Sequence, residues 1–321
     1  MEAQLSLVVP SLSISCGKAQ NIEMAHLPPS RISGLRGGAE IPLYPPAYTT
    51  RVSEDCCRSI VSEAHRFQDW EVPEHEHADF CLHLQRSGSP SHEWWWGRKH
   101  GIEARAAGSL ILLPPGTRDR VRWMGLSDSV IFSVEPKIVQ DLAAEIAPSA
   151  RPTFLTRWHF RDEALRNVLA EIGRESSEGW PLGTLYADLL GMSLASLILR
   201  RHTASPISLP PIRGGISISV MKSCMEFMTE NIHRDISLDQ VASVARLSMF
   251  HFARLFRKMT RQTPHQYRLD QRIRKAKQLL RETSCQVEDI AGAVGFRSSA
   301  HFTHSFRSRE GVTPSVWRRS C

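Results

Sequence analysis

Between residues 41 and 135 the apolar positions come in short runs broken by Gly and Pro: "DFCLHLQRSG", "HEWWWGRKHG", "IEARAAGSLILLPPGTRDRVRWMG" and "SDSVIFSVEP". Runs this short, rich in Val, Ile, Leu and Trp, predict antiparallel strands of a small β barrel or sandwich. The period then lengthens. "DEALRNVLAEIGRESSEG" and "LGTLYADLLGMSLASLILRRH" predict two helices. In the second, Leu185, Leu189, Met192 and Ser196 line one face, and Leu190, Leu194, Leu197 and Ile198 widen it. Such a pair packs on its own barrel or on a second copy of the chain. "TASPISLPPIRGG", Thr203 to Gly215, has no apolar period and reads as a linker. The first 40 residues, rich in Ser, Gly and Pro, read as a poorly ordered tail. The expected organisation is a tail (1–40), a β-rich domain with a helix pair (41–202), a linker (203–215) and an all-α domain (216–321).

The all-α segment contains a repeat. "LDQVASVARLSMFHFARLFRKMTRQTPHQYR" from Leu238 aligns with "VEDIAGAVGFRSSAHFTHSFRSREGVTPSVWR" from Val287. Val241 and Ala242 meet Ile290 and Ala291, and after one inserted residue His251, Phe252, Phe256, Arg257, Thr263 and Pro264 meet His301, Phe302, Phe306, Arg307, Thr313 and Pro314. So many matches at one spacing mean that one local structure forms twice. Ser237 and Gln240 have capping-box spacing, so a helix starts there. Ser248 caps a second helix after a tight turn, and Gly295 in the other copy suits a left-handed turn residue. Each copy is therefore a helix-turn-helix. Thr263-Pro264-His265-Gln266 opens a connecting helix to Leu280, with Leu269, Ile273, Ala276 and Leu280 on its apolar face and Arg268, Arg272 and Lys275 on another.

Helical spacing divides the second helix of each unit. Phe252, Leu255 and Phe256, like Phe302 and Phe306, face a core. Phe250, Ala253, Arg254 and Arg257 form a different stripe, matched by Ala300, Thr303, His304 and Arg307. In a major groove that stripe meets base edges, with Arg254 able to fork onto guanine and the small alanines allowing close approach. Arg257, Lys258 and Arg307 lie further along, where phosphates pass.

Charge supports a polyanionic partner. Residues 213–321 carry 19 Lys and Arg against 9 Asp and Glu, a balance of +10, while the preceding residues carry 21 against 24. A basic block beside a mildly acidic one points to nucleic acid ahead of membrane. The seven cysteines show no CxxC spacing, and no apolar run approaches a membrane span. With Glu2 and Pro10 interrupting any signal-like start, the expectation is a soluble cytoplasmic protein with reduced thiols.

The last hundred residues, above all "IAGAVGF", "HFTHSFR" and "GVTP", resemble the AraC/XylS family of bacterial transcription regulators. The resemblance implies two helix-turn-helix units joined by a long helix and bound to double-stranded promoter DNA, with RNA polymerase as a partner. It implies activation more often than repression, and it implies that Phe250, Ala253, Arg254, Ser299, Ala300, Thr303 and His304 face bases. The order of β-rich region, helix pair and double helix-turn-helix also resembles members with a cupin-like β barrel that senses an effector and dimerises. A small-molecule effector and a homodimer through Leu185 to Ile198 follow as expectations.

In the β-rich region, His75 and His77 stand two apart on one strand face, the spacing of a cupin metal pair, with His92, Glu93 and His100 as downstream candidates. A polar rim is the plainer reading, and neither a metal nor a cofactor is expected. "EWWWG" puts Trp94 and Trp96 on one face, either in the core or, with His75 and His77, lining an effector pocket. No nucleophile arrangement and no phosphate-cradling loop stands out, so the expectation is a regulator and not an enzyme. The rival is a metal-dependent cupin enzyme fused to a DNA-binding domain.

Overall fold

The computed structural model describes residues 30–44, 49–50, 59–149, 151–205, 207 and 215–320; the first 29 residues and most of the expected linker lie outside them. Strands β1 (Ser33–Arg36), β2 (Ala39–Pro42), β3 (Thr49–Thr50), β4 (Ile60–Glu76), β5 (Phe80–Gly88), β6 (Ser91–Trp96), β7 (Lys99–Ala104), β8 (Leu110–Leu113), β9 (Arg118–Val134) and β10 (Arg157–Phe160) form one sheet. Its path runs β10-β8-β5-β9-β4-β1-β2 without returning to its start. The sheet is therefore open, where a closed cupin-like barrel was expected.

Two long strands explain this shape. β4 and β9, 17 residues each, pair along most of their length, with register breaks after Gln68 and Val72. β9 gives its second half to β5 and its first half to β6. The breaks bend the strands, so the sheet folds over a second core without its hydrogen bonding closing. The β1–β2 hairpin straddles the end of the expected tail: Leu35 pairs with Glu76, and Ile32 and Leu43 are buried.

One sheet face packs on three helices, α1 (Pro136–Ile146), α2 (Glu163–Ser177) and α3 (Thr184–Arg201). Leu82, Leu112, Phe132, Leu169, Leu194 and Ile198 lie in that core. The other face holds Tyr44, Phe67, Ile111, Leu113, Val121 and Trp123.

The rest is helical: α4 (Ile218–Glu230), α5 (Leu238–Val244), α6 (Met249–Thr260), α7 (Pro264–Glu282), α8 (Val287–Ala293), α9 (Ser299–Glu310) and α10 (Pro314–Arg319). The capping boxes at Ser237 and Thr263 both form. Phe252 and Phe256 close one core and Phe302 and Phe306 another, while α7 contributes Tyr267 to the first and Ile273, Ala276 and Leu280 to the second.

α3 is shared between the two regions. Leu190, Leu194 and Ile198 face the sheet, whereas Leu185 is buried in the first helix-turn-helix core with Leu189 and Met192 packed against it. Part of the face expected to meet a second copy is thus packed against the chain's own first unit. Among the described residues no helix is long and apolar enough to cross a membrane.

Candidate nucleic-acid interface

Each unit turns at one left-handed residue. Arg246 has φ +52° in the first copy and Gly295 has φ +85° in the second. A Cβ on Gly295 would lie 2.4 Å from the Ile232 carbonyl oxygen, so glycine is required there. The following helices are capped alike: Ser248 Oγ accepts from His251 N–H at 3.1 Å, and Ser298 Oγ from His301 N–H at 3.5 Å. Both end in a left-handed residue, Arg261 and Gly311.

The two recognition stripes have different surroundings. On α9, Ala300, His304 and Arg307 are exposed, and Ser299 and Thr303 are half-buried. On α6, Arg257 and Lys258 are exposed at the last turn, but Phe250 retains only 8% of its surface and joins the core between the sheet and α1–α3. Phe250, expected to face bases, is therefore turned inward, because a large apolar ring is more stable against Met192 and α1 than in water. Ala253 and Arg254 are half-buried, and the Arg254 guanidinium carbon lies 5.2 Å from the Phe250 ring centroid. Ala253, Arg254 and Arg257 line an open cleft whose opposite wall is Leu189, Met192, Ser193 and Ser196 of α3.

Polar contacts hold this cover in place. Asp188 of α3 accepts from the Leu238 N–H at the start of α5 at 2.8 Å. Burial raises its carboxyl to about 6, and the charges of Asp239 and Asp235 add to that. Asp235 accepts from Thr184 N–H at 3.0 Å, from its hydroxyl at 2.8 Å and from Arg297 at 2.6 Å. Burial opposes ionisation of Asp235, but these donors outweigh it and keep the carboxyl below its ordinary range.

Arg268 and Arg272, read as lying on a side of the connecting helix away from its apolar face, are buried. Arg268 donates to the Arg234 and Asn231 carbonyls, and Arg272 donates to Ile232 O at 3.2 Å and stacks on Phe296. Carbonyls just beyond the end of α4 attract cations, which a helical wheel cannot show. Burial brings the two guanidinium groups down to about 10 and about 9.

In the sheet region, β4 and β9 pair His75 directly with Asp119. His77 Nε2 lies 2.9 Å from Asp119 Oδ1 and 3.2 Å from His75 Nε2, and His75 Nδ1 is oriented by Pro73 O at 2.9 Å. The ligand atoms of His75, His77 and Asp119 all lie within 4.8 Å of one another and are buried, so these three residues could hold a metal. Burial disfavours a charged His77, but its hydrogen bonds to Asp119 and Cys81 outweigh that and hold it at about 10. The residue that sequence reasoning missed is Asp119. Its signal is an acid on the inward face of Asp119, Val121 and Trp123, alternating with Arg118, Arg120 and Arg122.

The downstream candidates go elsewhere. His92 Nδ1 pairs with His159 at 2.9 Å, and His100 with Glu93 at 3.0 Å. His75, His77 and His92 line one cavity together with Trp158, on which Trp94 stacks at 4.9 Å. Trp96 is not brought to that cavity; it is half-buried, beneath the Lys99 ammonium.

Two capped helix-turn-helix units on one connecting helix, with a basic last turn on each recognition helix, define a double helix-turn-helix protein. The helix-turn-helix domain family matches residues 241–320. The MmsAB operon regulatory protein of Pseudomonas aeruginosa is 30% identical over 224 residues, covering 66% of each chain. The HTH-type transcriptional activator RhaR of Cronobacter sakazakii is 29% identical over 166 residues, 51% of this chain and 57% of that one. The chain thus spans a little under two thirds of these curated relatives. A solved transcriptional regulator from Chromobacterium violaceum, described as having an AraC-type DNA-binding domain, is 30% identical over 32% of this chain and 91% of its own, with a TM-score of 0.31. Residues 241–320 thus carry a helix-turn-helix domain, and along it the chain is similar to bacterial transcription regulators.

Proposed function

We propose that the protein is a sequence-specific regulator that binds double-stranded promoter DNA through both helix-turn-helix units and works with RNA polymerase, as an activator. The observation that carries this reading is the repeated unit itself, with His304 and Arg307 open on α9 and Arg257 and Lys258 open at the end of α6. The relation to RhaR, described as an activator, supports the sign. Control comes from the N-terminal region: while α3 covers Phe250 and narrows access to Arg254, only the second unit presents its full stripe. Moving α3 away completes the first.

The test is selection of genomic fragments by the full-length protein, followed by footprinting and salt titration. Two adjacent protected groove segments, and affinity falling steeply with salt as counterions are released, are the expected results. Asp235→Ala, which removes the acceptor for Thr184 and Arg297, is expected to strengthen protection of the segment read by the first unit. Binding equal on selected and random duplexes would overturn the reading.

A further inference from the structure

Between the sheet and α2 the packing is incomplete. β4, β5 and β9 present Ser62, Ala64, Leu84 and Val130 to a cavity of about 340 Å³. Its other wall is the face of α2 that carries Leu169, Ala170, Gly173, Ser176 and Ser177 at helical spacing. Side-chain size explains the void. Leu165, Leu169 and Ile172 are buried in the core that α2 shares with the sheet, whereas Gly173 and Ser176 leave the end of the interface short of atoms.

Two features of that wall have no use within the chain. Gly173 sits inside a helix, where glycine is less stable than alanine, and no close approach demands it: a Cβ there would meet nothing nearer than Val130 Cγ1 at 3.6 Å and Phe132 Cζ at 3.7 Å. Ser176 is 1% exposed, and its hydroxyl has no hydrogen-bond partner. Helical serines commonly return the hydroxyl to their own backbone, as Ser177 does to Arg174 O at 2.8 Å and Ser193 to Leu189 O at 2.7 Å. A buried hydroxyl left idle, facing a cavity, points to a partner from outside the chain. The mouth is charged but balanced: Arg86 pairs with Asp128 at 2.6 Å, and Arg174 with Glu171 at 2.7 Å and Glu175 at 2.9 Å. An engineered cavity of about 150 Å³ holds benzene, so this one has room for two fused rings.

We propose that this cavity binds a small uncharged molecule, about the size of two fused rings and with one hydrogen-bonding group for Ser176, and that this molecule is the signal to which the N-terminal region responds. This rests on the regulatory reading above and names the chemistry of its effector. The apolar floor excludes a charged body, and both guanidinium groups at the mouth already have their carboxylates. The site connects to the cover over the first unit. Arg174 at the mouth holds Glu171, Glu171 Oε1 accepts from the Tyr186 hydroxyl of α3 at 2.8 Å, and the Tyr186 ring lies 4.6 Å from that of His265 at the start of α7.

The test is calorimetric titration and thermal unfolding of the full-length protein with 2-naphthol, naphthalene and 2-naphthoate, probes of one shape that differ by a hydroxyl or a charge. 2-Naphthol is expected to bind saturably, about tenfold tighter than naphthalene or 2-naphthoate, and to raise Tm by roughly 5 °C at a hundredfold excess over its Kd. Ser176→Ala is expected to keep the fold and the binding of naphthalene and to lose the advantage of 2-naphthol. Gly173→Leu, which fills the cavity, is expected to unfold at or above the wild-type temperature and to bind neither. In footprinting, 2-naphthol is expected to strengthen protection of the segment read by the first unit, and Tyr186→Phe, which still binds the probe, to lose that gain. Tighter binding of 2-naphthoate than of 2-naphthol would overturn the uncharged assignment. No saturable binding of any probe, or binding that survives Gly173→Leu, would overturn the site, and binding that leaves the first segment's protection unchanged would overturn its role as signal. Selective DNA binding is measured without probe on the same samples, so a failed effector site with intact DNA binding leaves the regulator reading standing.

Discussion

Aligned on each other, α5–α6 and α8–α9 place Phe252 with Phe302 and Phe256 with Phe306 in equivalent buried positions, yet α3 lies over the stripe of α6 while that of α9 faces solvent. The difference begins in the sequence, at one aligned position: Phe250 in the first copy, Ala300 in the second. A phenylalanine on an otherwise open stripe gains about 1.5–3 kcal/mol from apolar cover, and an alanine gains little. The scaffold is repeated to make the same turn twice, and the residues it displays decide which copy is covered by its own chain.

The largest expected effect tests whether the turns are equivalent. Gly295→Val should cost about 3 kcal/mol or more in chemical denaturation, since it combines φ +85° with a Cβ pressed on Ile232 O. Arg246→Gly, at φ +52° in the same turn, should gain about 1 kcal/mol. An unchanged midpoint for Gly295→Val would break the comparison.

Next comes the cover. The Asp188 carboxyl is raised from 3.8 to about 6 in the folded chain, which therefore holds a proton that the unfolded chain releases earlier. Its contribution is full below 3.8 and is lost as pH rises through 6. Asp188→Asn keeps an acceptor for Leu238 N–H without that loss. It should match the wild type near pH 4 and exceed it by on the order of 1–3 kcal/mol at pH 7.5. A constant gap across that range would remove Asp188 as its source.

Base readout should separate the units. His304→Ala should relax preference at one base pair by about 1–3 kcal/mol in full-length protein, and Arg254→Ala should do so fully only when Asp235→Ala accompanies it. Equal losses in both backgrounds would show that α3 does not restrict α6. The smallest contrast is in the caps. Thr263→Ala should cost about 1 kcal/mol because its hydroxyl completes a capping box, whereas Thr313→Ala, with no side-chain cap bond, should change stability by less than about 0.5 kcal/mol.

The repeat was legible because side-chain type at fixed spacing determines it: the phenylalanine pairs, the Ser and Thr caps and Gly295 all do in the structure what their positions required. Two further helices carry equally clear signals in the sequence. α1 has Pro136 at its start and Val139, Leu142, Ala143 and Ile146 buried; α4 has Ser217 as its cap and Met221, Cys224 and Met228 buried. Other features depend on contacts distant in sequence. His75 meets Asp119 only through the β4–β9 register, and nothing near Phe250 announces that Met192 and α1 will cover it. Arg105 sits between Ala104 and Ala106 in sequence and becomes conspicuous only once its burial is seen.

The two arginines that enter the Asn231–Arg234 carbonyls also bear on the proposed DNA complex. They fasten α7, 19 residues and roughly 28 Å long, to the first unit at one end while Ile273, Ala276 and Leu280 fasten it to the second. A beam clamped at both ends resists swivelling, so if both units bind one duplex as proposed, the protein sets the helical phase of its operator. Inserting about five base pairs between the two contacted segments turns one roughly half a turn to the far side of the duplex and should abolish joint occupancy, while an insertion of about ten restores the phase but not the reach.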